Sequence, residues 1–286
     1  MADRARDPAV PAVTSAAAAA IDGSGTVRAR CVLAPNPSLM TLDGTNTWLV
    51  AEPGSAAVVV VDPGPDDENH LRRVAAVAAA AGQRVASIVL THGHGDHSAG
   101  APRLAGLTGA PVRAADPAHQ LGADGLRPGD VITAGGCELR VIATPGHTAD
   151  SVCLQITADA AVLTGDTVLG RGTTVIAGDG SLADYLTSLR QLRSLAGDDG
   201  LTALLPGHGP LLADPAGTLD FYLAHRAERL AEIQAAVAAG DTTPAQIVAR
   251  VYAAVDPALW PFARWSVLAQ LAYLSGQGSL PPGFRW

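Results

Sequence analysis

Thr91-His92-Gly93-His94-Gly95-Asp96-His97 follows directly on Ile88-Val89-Leu90, the end of an apolar run. Four of these residues are of metal-ligand type. His92 and His94 are two apart, so on extended backbone they point the same way. Asp96 and His97 come after the chain has left the strand. Gly93 and Gly95 leave the loop free to adopt positive φ and to pack closely. Such a loop can hold two ligands on one ion and aim two more at a second.

Working outward, three further candidates end apolar strands on tight Gly/Pro loops. Glu138–Ala143 runs into Thr144-Pro145-Gly146-His147-Thr148, and Ala161–Leu163 into Thr164-Gly165-Asp166-Thr167. Ala203–Leu205 runs into Pro206-Gly207-His208-Gly209-Pro210. Sites in open α/β sheets gather at strand ends. A lone loop histidine is usually just solvated. Five of the 8 histidines lie in these motifs, however. His70, His119 and His225 keep the plain structural reading.

Around the motifs, the periodicity predicts strands over Val27–Leu33, Thr47–Ala51, Ala57–Val61, Val85–Leu90, Val131–Thr133 and Ser151–Thr157. Val58–Val61 is continuously apolar, which suits a strand covered on both faces. Helices are expected over Asp66–Ala81, from a Ser98 cap to about Leu107, and over Ser181–Leu195. Three more are expected at 215–239, 244–255 and 258–275, with a domain boundary near 212. The pattern suggests an α/β fold of two sheets between helix layers.

The 286 residues are 48% hydrophobic and 16% charged, which excludes a largely disordered chain. The net charge of −8 disfavours non-specific nucleic-acid or anionic-membrane binding. All 19 basic residues are Arg. Cys31, Cys137 and Cys153 are odd in number and widely spaced, which argues for reduced thiols and a cytoplasmic location. No stretch reaches the ~18 apolar residues of a membrane span. Residues 1–25 read as a mobile leader without a signal peptide's apolar core.

The order HxHxDH, His, Asp, His resembles the metallo-β-lactamase superfamily. Gly44-Thr45-Asn46-Thr47-Trp48-Leu49-Val50, the motifs around His147, Asp166 and His208, and Tyr185 with Ser188-Leu189 resemble its β-lactamase-like protein 2 group. The resemblance runs from about residue 36 to 212. More loosely, the tail is similar to that group's C-terminal winged-helix-like domain. It implies an αββα sandwich over 26–212, a helical domain over 213–286, and two divalent metal ions. His92, His94 and His147 would hold the first ion. Asp96, His97 and His208 would hold the second, with Asp166 bridging. Zn²⁺ suits this all-N/O set, and so do Mn²⁺ and Fe. Asp62 is read as an acceptor that orients a ligand histidine, with a plain turn aspartate as the equal alternative.

The implied chemistry is hydrolysis by a water activated between the ions, with Asp96 orienting it and carrying a proton to the leaving group. True β-lactamases of the superfamily carry Cys where this chain has Asp166, so little or no β-lactamase activity is expected. Arg171 and His225 are candidate substrate contacts, each with a solvated surface role as the alternative. The group includes single-strand RNA endonucleases, and related branches hydrolyse thioesters. Residues 213–286 hold five Arg against six acids, which is not a basic surface. The expectation therefore places a small ester or thioester first and RNA second. A non-catalytic nucleic-acid-binding module comes last, because all seven ligand positions are kept. Trp260, Phe262 and Trp265 are read as packing or a homodimer contact.

Overall fold

The computed structural model describes residues 20–286. The leader expected over 1–25 lies outside the described residues as far as residue 19. Its last part departs from expectation. Ile21 is buried in the core, and Asp22 Oδ1 accepts a hydrogen bond from Leu33 N at 2.9 Å.

The first sheet has the order β1 (Ala29–Leu33), β2 (Asn46–Val50), β3 (Ala57–Val61), β4 (Arg84–Val89), β5 (Val112–Arg113). The second runs β10 (Ala203–Pro206), β9 (Ala161–Gly165), β8 (Val152–Ile156), β7 (Cys137–Ala143), β6 (Val131–Ala134). β3, β4 and β5 are parallel, as are β9 and β10; the other pairs are antiparallel. The β7–β8–β9 antiparallel steps make β7 run the same way as β9 and β10. The loops after β7, β9 and β10 therefore leave one edge of their sheet, as those after β3 and β4 leave one edge of theirs.

The unbroken Val58–Val61 run reflects two cores. Val59 and Val61 face the other sheet, among Leu139, Val141, Leu154 and Ile156. Val58 and Val60 face α1 (Glu68–Ala80), where Leu71, Val74 and Ala78 meet them. Full burial of each such aliphatic contributes about 1.5–3 kcal/mol. The other outer layer is α4 (Leu182–Asp198). Its Tyr185, Leu186, Leu189 and Leu192 pack on Ile142, Cys153, Val162 and Leu204. The αββα layering is thus carried by strands apolar on both faces.

Two local expectations change. Ser98 does not cap a helix. It lies inside the one-turn α2 (Gly95–Ser98), and its hydroxyl donates to Gly93 O at 2.9 Å, tying down the histidine loop. The following helix, α3 (Ala101–Thr108), starts after Gly100. β5 was not anticipated, since two residues carry no periodicity.

The tail is helical: α5 (Pro215–Ala238), α6 (Pro244–Val251) and α7 (Trp260–Gly276). No strand occurs after residue 206 among the described residues. α5 belongs to two cores. Leu219 and Tyr222 join the α4 layer, whereas Ile233, Ala236 and Val237 pack on Ile247, Val248, Val267 and Leu271. Trp260 packs beside this second core, and Phe262 contacts Trp265 edge-on at 5.5 Å. No helix among the described residues is long and apolar enough to cross a membrane. The three cysteines are free and buried.

Candidate metal centre

The chain brings all seven ligand-type side chains to the edge where the strands end. His92 follows β4, His94 opens α2, and Asp96 and His97 lie within it. His147 follows β7, Asp166 follows β9 and His208 follows β10.

His92 Nε2 lies 3.1 Å and His147 Nε2 3.0 Å from His94 Nδ1. A nitrogen cannot share one lone pair or one proton well with two neighbouring imidazoles. Three nitrogens around a tetrahedral ion at metal–N 2.0–2.1 Å would stand about 3.3 Å apart. The observed spacings sit close to that. The second triangle is His97 Nε2–His208 Nε2 at 3.2 Å, His208 Nε2–Asp96 Oδ2 at 3.2 Å and His97 Nε2–Asp96 Oδ2 at 3.5 Å. Asp166 lies between the two. Its Oδ1 is 3.4 Å from His97 Nε2, and its Oδ2 is 3.4 Å from His208 Nε2 and 3.6 Å from His147 Nε2. Asp166 Oδ1 is buried and makes no hydrogen bond. An orphaned carboxylate oxygen among imidazole lone pairs fits a cation.

The outer nitrogens of His92, His97, His147 and His208 are anchored, which fixes the tautomer and aim of those four rings. His97 Nδ1 donates to Asp62 Oδ2 at 2.9 Å. His147 Nδ1 donates to Val175 O at 2.8 Å and His208 Nδ1 to Gly44 O at 3.1 Å. His92 Nδ1 meets Thr91 Oγ1 at 3.0 Å, and that hydroxyl donates to Asp62 Oδ2 at 2.7 Å. Asp62 also accepts from Thr91 N at 2.8 Å. A single buried carboxylate thus braces a histidine of each triangle. It does so from a left-handed backbone, φ 52°, which aspartate tolerates better than most residues.

Small residues let the loops close. A Cβ on Gly207 would stand 2.7 Å from both Asp166 Oδ1 and His97 Cε1. Gly146, at φ 143°, lies so close to α4 that a Cβ would reach within 2.3 Å of Tyr185 Cα. Asn46 Nδ2 donates to Pro206 O at 2.9 Å and Gly209 O at 2.8 Å, clasping the His208 loop.

Burial holds the His92 and His147 rings below the ordinary histidine value. At His97 and His208 burial also opposes charge, but the neighbouring carboxylates together outweigh it, Asp166 with Asp62 at His97 and Asp166 with Asp96 at His208. His97 is raised well above the usual value, and His208 is pushed up to about 9. Burial works against the Asp166 carboxylate too, and His208 and His97 still hold it well below the usual range. Asp96 is likewise lowered, by His208 and His97 against burial. Protons at the second triangle therefore balance Asp166 where cations would otherwise do so.

Arg171 and His225 stand outside this cluster. Arg171 Nη2 donates to the buried Asp43 Oδ2 at 2.5 Å, and the His225 ring stacks on Phe221 at 5.9 Å. Sequence reasoning missed the roles of Asn46, Gly207 and the Val175 carbonyl. The first two lie inside recognised motifs; the last carries no side-chain signature. Cys153 is no thiolate ligand. Burial pushes its thiol up to about 11, and it contacts Thr144 Oγ1 at 3.3 Å.

Residues 40–208 match the metallo-beta-lactamase superfamily, and residues 243–279 match the beta-lactamase associated winged helix domain. The chain is similar to a beta-lactamase-like protein 2 homolog of Caenorhabditis elegans, at 33% identity over 71% of this chain and 68% of that protein. It is also similar to an atrochrysone carboxyl ACP thioesterase of Aspergillus fumigatus, at 35% identity over 63% of this chain and 56% of that protein. A solved beta-lactamase domain protein from Burkholderia ambifaria superposes with TM-score 0.73 at 25% identity, covering 87% of this chain and 86% of that one. Strand-end histidines, sandwich and matched span agree: the chain belongs to the metallo-beta-lactamase superfamily of hydrolases and carries that superfamily's associated winged helix domain.

Proposed function

We propose that the protein is a dinuclear metal-dependent hydrolase of a small ester or thioester. The observation that carries this is Asp166, whose two carboxylate oxygens face ligand nitrogens of both triangles at 3.4–3.6 Å. His92, His94 and His147 would hold one ion, Asp96, His97 and His208 the other, and Asp166 both. The set is nitrogen and oxygen only, which suits Zn²⁺ and equally Mn²⁺ or Fe. Two such ions supply an activated water and an electrophile for the attacked carbonyl.

The chain's own groups do the rest. Asp96 is partly exposed at the mouth, so its carboxylate can orient the attacking water and pass a proton to the leaving group. Asp62, through His97 directly and through Thr91 to His92, keeps ring lone pairs aimed inward. Arg171, tethered to Asp43, is assigned to an anionic part of the substrate. The thioesterase relative and the lack of a basic tail favour an acyl substrate over RNA. Residues 26–212 form the catalytic unit, completed by the first half of α5. The remainder of 213–286 forms the winged-helix-like unit.

The test is a panel assay on zinc-loaded protein. It offers acyl thioesters, a lactone, a phosphodiester, a cephalosporin and single-stranded RNA, with Asp96→Ala as control. Turnover of a thioester or ester that falls at least 100-fold in Asp96→Ala is expected, in line with general acid–base contributions of about 10²–10⁴. Cleavage of RNA alone would overturn the substrate class. Inactivity throughout, with no bound metal, would overturn the hydrolase reading.

A further inference from the structure

Behind the metal centre lies a buried cation that the hydrolytic reading leaves unused. Arg226, on α5, is 3% exposed. Its Nη2 donates to Thr174 O, and its guanidinium lies over the Tyr185 ring, 5.0 Å from the centroid. Its Nε has no hydrogen-bond partner, and no carboxylate pairs with it among the described residues. A buried charge so poorly compensated is costly, and an apolar side chain of similar volume would cost less. What the guanidinium adds is a fixed donor at one carbonyl.

That carbonyl belongs to a junction. Thr174 Oγ1 donates to Asp166 O at 2.7 Å. The next carbonyl, Val175 O, accepts the proton of His147 Nδ1 at 2.8 Å. Thr174 and Val175 lie in an irregular stretch between β9 and α4, with no strand or helix ladder to hold them. Their placement depends on bonds such as the one from Arg226. Tyr185, beneath the guanidinium, ties the same stretch through its hydroxyl to Thr167 O at 2.7 Å.

We infer that Arg226 is a positioning residue for the metal centre. Acting through Thr174 and Val175, it fixes the orientation of both Asp166 and His147. The first helix after residue 212 thereby becomes part of the site. The inference rests on the metal reading above.

The test measures zinc affinity by competition with a chromophoric chelator in Arg226→Met, Arg226→Lys and Thr174→Val, beside thermal unfolding of each metal-free protein. Arg226→Met is expected to weaken zinc binding about 10–100-fold, the usual effect of removing a partner that orients metal ligands. Arg226→Lys, which can still donate to Thr174 O, should recover part of that loss. A purely structural arginine would lower the unfolding temperature and leave zinc affinity alone; that result in folded Arg226→Met overturns the inference. Should Arg226→Met not fold, wild-type affinity in both Arg226→Lys and Thr174→Val overturns it equally. A wild-type protein that binds no zinc sinks the metal reading instead, so the two failures are distinguishable.

Discussion

Asp62→Asn separates stability from metal binding more cleanly than removal of any ligand. Asp62 accepts three buried hydrogen bonds, from Thr91 N at 2.8 Å, Thr91 Oγ1 at 2.7 Å and His97 Nδ1 at 2.9 Å. Alanine would strand three buried donors at about 1–3 kcal/mol each, against a total domain stability of about 5–15 kcal/mol. That variant is expected to fold poorly. Asparagine keeps the shape and can keep the bond from Thr91 N through its remaining oxygen. Its amide nitrogen replaces Oδ2 and donates where a carboxylate accepted. His97 must then present a lone pair at Nδ1, which leaves its remaining proton on Nε2, the atom facing His208 and Asp166. Thr91 Oγ1 must also turn. The expected stability loss is about 1–3 kcal/mol, one mispaired group. The expected loss of affinity for the ion held by His97 is about 10–100-fold. Urea unfolding reads the first quantity and chelator competition the second. Wild-type zinc affinity in a folded Asp62→Asn protein would refute the bracing role.

Three further predictions follow from the same geometry. Gly207→Ala places a Cβ 2.7 Å from Asp166 Oδ1 and His97 Cε1, so it should lower metal content in a folded protein; full metal content would mean the loop relaxes freely. His208 stands at about 9, above the ordinary value near ~6.5, so its charge stabilises the metal-free fold fully below about pH 6.5 and this contribution is lost as pH rises through about 9. Ion uptake at pH 7 should therefore release protons, and zinc affinity should fall as pH drops; calorimetric heats independent of buffer ionisation enthalpy would contradict this. Truncation after residue 212 removes Leu219, Tyr222 and Arg226 from the α4 layer and should abolish metal binding or folding, whereas truncation after 239 should retain metal. Full metal content in a folded protein truncated after 212 would show that α5 is dispensable.

Much of the fold, and the convergence of the seven ligand-type side chains, could be read beforehand, for physical reasons. Ligands at strand ends follow apolar runs such as Ile88–Leu90, so strand and site announce each other. Val58–Val61 reads as a doubly covered strand because alternate residues feed two cores. Where the reading fell short, the information was not in local pattern. β5 is two residues long, and its pairing with β4 depends on tertiary contact. Ser98 looks like a cap by type, yet its hydroxyl is used by Gly93 O. The boundary near 212 follows a change in helical character, whereas the first half of α5 packs in the α4 layer and its second half in the core of the tail. The Thr174–Val175 junction acts through carbonyls, which any sequence would supply. Asp62 reads equally as an orienting acceptor or as a plain turn aspartate, and only the tertiary structure brings His97 Nδ1 and Thr91 Oγ1 onto its carboxylate.

The most direct test of the account is elemental metal analysis of purified, zinc-reconstituted protein beside Asp166→Ala. The account predicts two ions per chain in the wild type and at least one fewer in the variant. Absence of bound metal in the wild type, or the same content in both, would contradict it.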